Sequence, residues 1–153
     1  MEISIEWSRP VALKDGKASN LLYLVDFNKL PEDAGVYVFG RRWGHESFEA
    51  LYVGQATNIR HRVKIQFNNL KLMMHLRDAR NGKRILLTGV IATKPGQQIK
   101  RCLNVAEQTF IRHFLSEGHD LVNKQGVRLR QDTITSSGNY PKRFFPRQMF
   151  KDK

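Results

Sequence analysis

Apolar and polar residues along the chain sort into short strands and longer helices. Ile3-Ser4-Ile5-Glu6-Trp7 alternates with period two and reads as an edge strand. Leu21-Leu22-Tyr23-Leu24-Val25 is a short apolar run, and Leu30-Pro31-Glu32-Asp33-Ala34-Gly35 is a turn-like lead-in to the next strand. Val36-Tyr37-Val38-Phe39 is β-branched and aromatic and predicts that strand. A polar, glycine-containing stretch from Gly40 to Ser47 separates it from a return strand, Phe48-Glu49-Ala50-Leu51-Tyr52-Val53, so the two predict an antiparallel hairpin.

Helical spacing begins after Thr57 and Asn58, either of which suits an N-cap. Ile59, Val63, Phe67 and Leu70 form an apolar stripe, with Arg60, Arg62 and Lys64 off it. A second helical piece is expected from about Lys71 to Arg80, where Asn81-Gly82 breaks it. Arg84 to Ala92 is the best third strand. The clearest helix runs from Gln97 to Leu115, with Leu103, Ala106, Phe110 and Phe114 on one face and Gly118 as its stop. The order strand, strand, helix, strand, helix predicts an α+β layer rather than a doubly wound sheet. It occupies residues 35–127, between an N-terminal extension, 1–34, and a basic aromatic tail, 128–153, expected to hold little regular structure.

The 153 residues fit one domain, and 41% hydrophobic content suffices for a core. No run reaches the ~18–20 apolar residues of a membrane span. The first residues lack the basic and apolar regions of a secretory leader. A single cysteine, Cys102, makes neither an intrachain disulfide nor, alone, a zinc site. The cytoplasm is the expected location, and no membrane partner is expected.

Charge supplies the first pointer to a partner. The net charge is +12, and it is unevenly spread. Residues 1–34 hold six acids and four bases, residues 56–101 eleven bases and one acid, Asp78, and residues 124–153 eight bases and two acids. Solubility alone does not require such clustering, which favours a polyanionic partner. An acidic membrane surface or protein fits less well, because no amphipathic helix pairs a wide apolar face with a basic one free of core duties.

Few residues offer chemistry. Glu107 lies in or beside the apolar stripe of the last helix, where a carboxylate needs a partner, a proton or a metal; an ordinary salt bridge would also serve. Tyr37 and Tyr52 can be brought together by the hairpin, or can simply pack on the sheet. Arg62 can grip a phosphate through paired hydrogen bonds, or lie on a solvated helix face. Arg60 and Lys64 are better read as general phosphate attraction. Tyr140-Pro141-Lys142-Arg143-Phe144-Phe145-Pro146-Arg147 interleaves cations with aromatics: Lys142, Arg143 and Arg147 suit phosphates, while Phe144 and Phe145 suit docking on the core.

Gly35-Val36-Tyr37, Tyr52-Val53-Gly54, Arg62, Glu107 and Asn123, in that order and spacing, resemble the motif set of the GIY-YIG nuclease superfamily, over roughly Gly35 to Asn123. The resemblance implies a small three-stranded antiparallel sheet flanked by helices, with the site residues converging on one cleft. It implies an endonuclease that uses one divalent ion, Mg2+ or Mn2+, held by Glu107. Arg62 would clamp the phosphate, Tyr37 would act as the base-like tyrosine with Tyr52 as its partner, and Asn123 would organise the site. One carboxylate with waters and a phosphate makes an acceptable magnesium site, whereas two-metal nucleases need several acids. Gln55 stands where many members carry a phosphate-binding lysine, and Gln66 where some carry a histidine. His61 and His75 are the local substitutes for a proton relay, though each also suits an ordinary surface or packed position. The expected partner is nucleic acid, DNA before RNA, with a homodimer conceivable for double-strand cutting. The alternative is a non-catalytic nucleic-acid-binding domain on the same scaffold.

Overall fold

Strand β5 (Gly35–Trp43) lies at the heart of the structure, a computed structural model that describes residues 2–123 and 133–150, with the backbone alone for Thr133 and Phe150. Its first seven residues are all buried, so it reads as a continuous apolar run rather than an alternating one. Strands β6 (Ser47–Ala56) and β7 (Lys83–Ala92) flank it, both antiparallel. On one face Val36 and Val38 join Ala50 and Val53; on the other Tyr37 and Phe39 join Leu51. The β5–β6 register slips between Phe39 and Gly40, so Leu51 has no opposite number and enters the core beside Tyr52.

The sheet does not stop there. Strand β1 (Glu2–Trp7) pairs antiparallel with β7 and, along its other edge, parallel with β8 (Thr133–Gly138). Strand β9 (Gln148–Phe150) continues antiparallel from β8, and a two-residue strand, β2 (Val11–Ala12), also pairs with β7. The result is a curled, mixed, seven-stranded sheet of order β6-β5-β7-β1-β8-β9, with β2 beside β7. Strands β3 (Lys14–Asp15) and β4 (Tyr23–Leu24) make a separate two-stranded ribbon.

This overturns the expectation of a small three-stranded antiparallel sheet with appendages at both ends. The alternating Ile3, Ile5 and Trp7 do face the core, but β1 is an interior strand, because β8 occupies its second hydrogen-bonding edge. Residues placed in the tail supply β8 and β9 and dock Phe144 and Phe145 in the core, where Phe145 packs edge-on to Phe110 at 5.1 Å and beside Trp7 at 5.2 Å. The indole N–H of Trp7 donates to Ser136 Oγ at 3.0 Å, closing the first strand onto the eighth. Tail residues 128–132 and 151–153, and the expected boundary at 127/128, lie outside the described residues.

Three α-helices cover the sheet. Helices α1 (Ile59–Gln66) and α2 (Leu70–Asp78) pack on the Tyr37 face, and α3 (Ile99–Ser116) on the Val36 face. Asn58 and Asn69 cap α1 and α2, accepting from His61 N–H at 3.0 Å and Leu72 N–H at 3.2 Å. Ile59, Val63 and Phe67 are buried as their spacing predicts, but Leu70 is 65% exposed. The chain turns between Gln66 and Leu70, so Leu70 opens a new helix instead of extending the old stripe. Helix α3 ends in a left-handed Gly118: His119 N–H reaches Phe114 O at 2.9 Å and Gly118 N–H reaches Leu115 O at 3.1 Å. That reversal returns the chain to the outer edge of β6. Val122 N–H there donates to Leu51 O at 2.9 Å, and Ala50 N–H donates to His119 Nδ1 at 2.7 Å.

Candidate active site

The β5–β6 register sets Tyr37 opposite Gly54 and Phe39 opposite Tyr52, so both phenols stand on the α1 side of the sheet. Their rings lie 6.1 Å apart and nearly parallel, at 23°. The Tyr37 ring crosses directly over Gly54, and a Cβ at that position would collide with its Cζ and hydroxyl. At Gly35 a Cβ would strike the carbonyl of Gly89 on the neighbouring strand. Each tripeptide therefore carries its glycine for a close approach that no larger residue allows.

Helix α1 brings two side chains to the phenols, one turn apart. Gln66, 3% exposed, donates from Nε2 to the Tyr37 hydroxyl at 2.7 Å and to the Tyr52 hydroxyl at 3.1 Å. The direction of these bonds is set from behind. Asn69 uses its Oδ1 to cap α2, leaving Nδ2 to donate to Gln66 Oε1 at 3.1 Å. The Gln66 amide nitrogen must then face the tyrosines, and both phenol oxygens act as acceptors.

Arg62 is exposed on α1, one turn before Gln66, and its charge acts on both the Tyr37 hydroxyl and Glu107. Burial holds the Tyr37 hydroxyl well above the ordinary tyrosine range, and Tyr52 beside it pushes the same way. The hydrogen bond from Gln66 and the Arg62 charge oppose that rise. Tyr37 is 1% exposed, whereas Tyr52 is half-buried and is the more accessible phenol.

Glu107 lies on α3, which covers the opposite face of the sheet, and is within electrostatic reach of Arg62. It is half-buried, and burial raises its carboxyl above the usual glutamate range. A hydrogen bond from the Gln55 backbone N–H and the Arg62 charge pull the other way without cancelling the rise. The Gln55 side chain donates to Asn104 Oδ1, three residues before Glu107 on the same helix. Gln55 is thus a strut between β6 and α3, holding Glu107 at the end of the sheet. Asn123 is a second strut: Val53 N–H donates to its Oδ1 at 3.2 Å, and its Nδ2 donates back to Val53 O. The side chain acts as a short extra strand next to Tyr52.

Tyr37 and Tyr52 are therefore paired, Arg62 stands on the helix beside them, and Glu107 comes within electrostatic reach of Arg62, with Gln55 and Asn123 bracing β6. The other candidates lie elsewhere. The Arg60 guanidinium is engaged by Leu30 O at 3.0 and 2.7 Å and by Glu32 at 2.7 Å. Lys64 is exposed, with its ammonium 5.2 Å from the centre of the Phe27 ring. His61 is exposed on α1, and His75 Nε2 meets Asp120 O at 2.7 Å, on the segment after α3. Lys142, Arg143 and Arg147 are exposed; Arg143 pairs with Glu46 at 3.0 Å, beside the turn of the β5–β6 hairpin and away from the tyrosines. Sequence reasoning missed Asn69 and Asn104. Asn69 carried a signal, an asparagine just before a helical stretch, but its second bond depends on where α1 delivers Gln66.

Glu107 is the one carboxylate of the cluster, and among the described residues no group of three or more His, Cys, Asp or Glu gathers. Any cation here would be held by a single carboxylate, with water and ligand oxygens completing its shell. An incompletely compensated, half-buried carboxylate beside an open guanidinium suits that arrangement. Among the described residues no helix is long and apolar enough to cross a membrane. No family model, curated protein or solved structure matches the chain.

Proposed function

We propose that the chain is a metal-dependent endonuclease of the GIY-YIG type, hydrolysing phosphodiester bonds in nucleic acid, DNA before RNA, in the cytoplasm. The observation that carries this reading is the Tyr37–Tyr52 pair, tied by Gln66 to the same helix that presents the Arg62 guanidinium. A phosphate gripped by that guanidinium would sit between a phenol pair and a carboxylate. Magnesium or manganese held by Glu107 would supply positive charge at the phosphate.

The residues divide the work. Arg62 orients the phosphate and stabilises the charge that develops on its oxygens. Tyr52, the accessible phenol, replaces the expected but buried Tyr37 as base and takes the proton of the attacking water in its phenolate form. The new phosphorus–oxygen bond forms as the ester bond breaks, and the leaving oxygen takes a proton from solvent. Gln66 donates to both phenol oxygens, which favours the phenolate that burial disfavours. Tyr37, held by Gln66 and stacked beside Tyr52, positions its neighbour.

Cleavage of supercoiled plasmid and of labelled single strands, with magnesium, manganese or EDTA, tests the reading. Cutting that needs the metal and disappears in Glu107→Ala is the expected result; intact cutting in that variant sinks the assignment. The second reading, a non-catalytic binding domain, draws on Gln55 and Gln66, which are structural struts at the positions that suit a phosphate-binding lysine and a proton-accepting histidine. It is favoured if a folded wild type retains DNA in a strongly salt-dependent manner but never cuts.

A further inference from the structure

Trp43 closes β5 at the end opposite the tyrosine cluster, and it is 36% exposed. Its ring is not loose. The Arg41 guanidinium lies over one face, 3.9 Å from the ring centre. Arg41 is itself 6% exposed, bonded from Nε to Glu49 at 2.7 Å and from a terminal nitrogen to Asn81 O at 2.9 Å. An exposed tryptophan is thus held against a buried, fixed cation, which immobilises the ring before any ligand arrives.

Basic side chains predominate in the surroundings. Trp43 borders a cavity of about 600 Å³ with Arg42, His45 and Lys83. Arg42 and His45 also line an adjoining cavity of about 670 Å³, together with Arg9, Lys142 and Arg143. Glu46 borders the second cavity, and it is already paired with Arg143. Tyr140 and Phe48 add aromatic surface to the second cavity.

We propose that Trp43 and the cations around it form a docking platform for single-stranded nucleic acid, with a base stacked on the indole and the flanking phosphates on Arg42 and Lys83. The proposal rests on the nucleic-acid partner proposed above. Duplex DNA hides its base faces, so a stacking platform selects unpaired strands. Trp43 lies six positions along β5 from Tyr37, about 20 Å at strand rise. A strand docked on the platform therefore extends several nucleotides before it reaches Arg62.

The chain holds two tryptophans, and Trp7 is 1% exposed, so ligand-induced change in tryptophan emission reports on Trp43. Unlabelled oligothymidylate, oligouridylate and a duplex are titrated into the full chain in EDTA, which prevents cutting. Either single strand should quench emission in a salt-sensitive way, the stronger of the two naming DNA or RNA, while the duplex leaves it nearly unchanged. In anisotropy with labelled single strand, Trp43→Ala should bind about ten-fold more weakly. Trp43→Phe should keep most of the affinity, and Arg42→Glu should weaken binding and flatten its salt dependence. Absent quenching, equal quenching by the duplex, or unchanged affinity in a folded Trp43→Ala overturns the platform. Quenching that persists in a chain that never cuts overturns the nuclease instead, and metal-dependent cutting without quenching overturns the platform alone.

Discussion

At the scale of single residues, the cluster is built from groups that are more easily buried in other company. Glu107 is the clearest case. Its carboxyl lies above the ordinary glutamate value of ~4.3 because burial penalises the charge more than Gln55 and Arg62 offset it. The folded chain therefore keeps that proton longer than the unfolded chain, and this group's contribution to stability falls as pH rises from the ordinary glutamate range through the raised value. Glu107→Gln should accordingly melt about 2 °C higher than wild type at neutral pH in EDTA, a gain that shrinks towards about pH 4, while losing all metal-dependent cutting. Melting curves across that range check the sign; a lower melting temperature at neutral pH contradicts it. The acid limb of the cutting rate should likewise lie higher in pH than an ordinary glutamate would place it. Gln66→Leu should cost about 2 kcal/mol in urea titrations, since it strips a donor from two phenol oxygens and strands the Asn69 amide. The pairing of Tyr37 and Tyr52 was legible in the spacing, because a hairpin with alternating faces has few ways to place two such residues. The direction of the Gln66 hydrogen bonds was not, because it is settled by a cap on the following helix.

Among the elements, legibility follows hydropathy. Strands β5, β6 and β7 and helices α1, α2 and α3 carry dense apolar patterns that reveal each of them, although β5 runs on to Trp43 through residues whose polarity predicts a loop from Gly40, and α1 stops at Gln66. Strand β8, Thr133-Ile134-Thr135-Ser136-Ser137-Gly138, offers one aliphatic residue, so periodicity passes it by. Its place is decided by the free edge of β1, which no reading of its own residues reveals. The same holds for the segment after α3, whose residues from His119 to Asn123 guard the outer edge of β6. Asn123→Ala should release that guard at Val53, lowering stability by about 1–3 kcal/mol in urea and accelerating amide exchange at Val53 and Val122. Unchanged exchange at both amides would mean that Gly118 and His119 hold the segment without it.

For the whole molecule, the charge found in the sequence and the core found in the structure make opposite demands on the C-terminal residues. Their cations keep to the surface while Phe144 and Phe145 fill space against Trp7, Phe110 and Phe114. A chain cut after Asn123 should expose that aromatic cluster and lose β8 from the open side of β1. We expect it to aggregate and to bind a hydrophobic dye, rather than survive as a smaller nuclease; a monomeric, cooperatively melting fragment contradicts this. The union of β1 with β8 also sets a timetable. Trp7 and Ser136, which seal that seam, are 129 positions apart. A ribosome adding about 5–20 residues per second needs on the order of 10 s to make the second after the first. For that interval the edges of the first strand wait for partners, since both β7 and β8, which claim them, are made after it. A chaperone that shields strand edges therefore has a long opportunity at β1 before the seam to β8 can close.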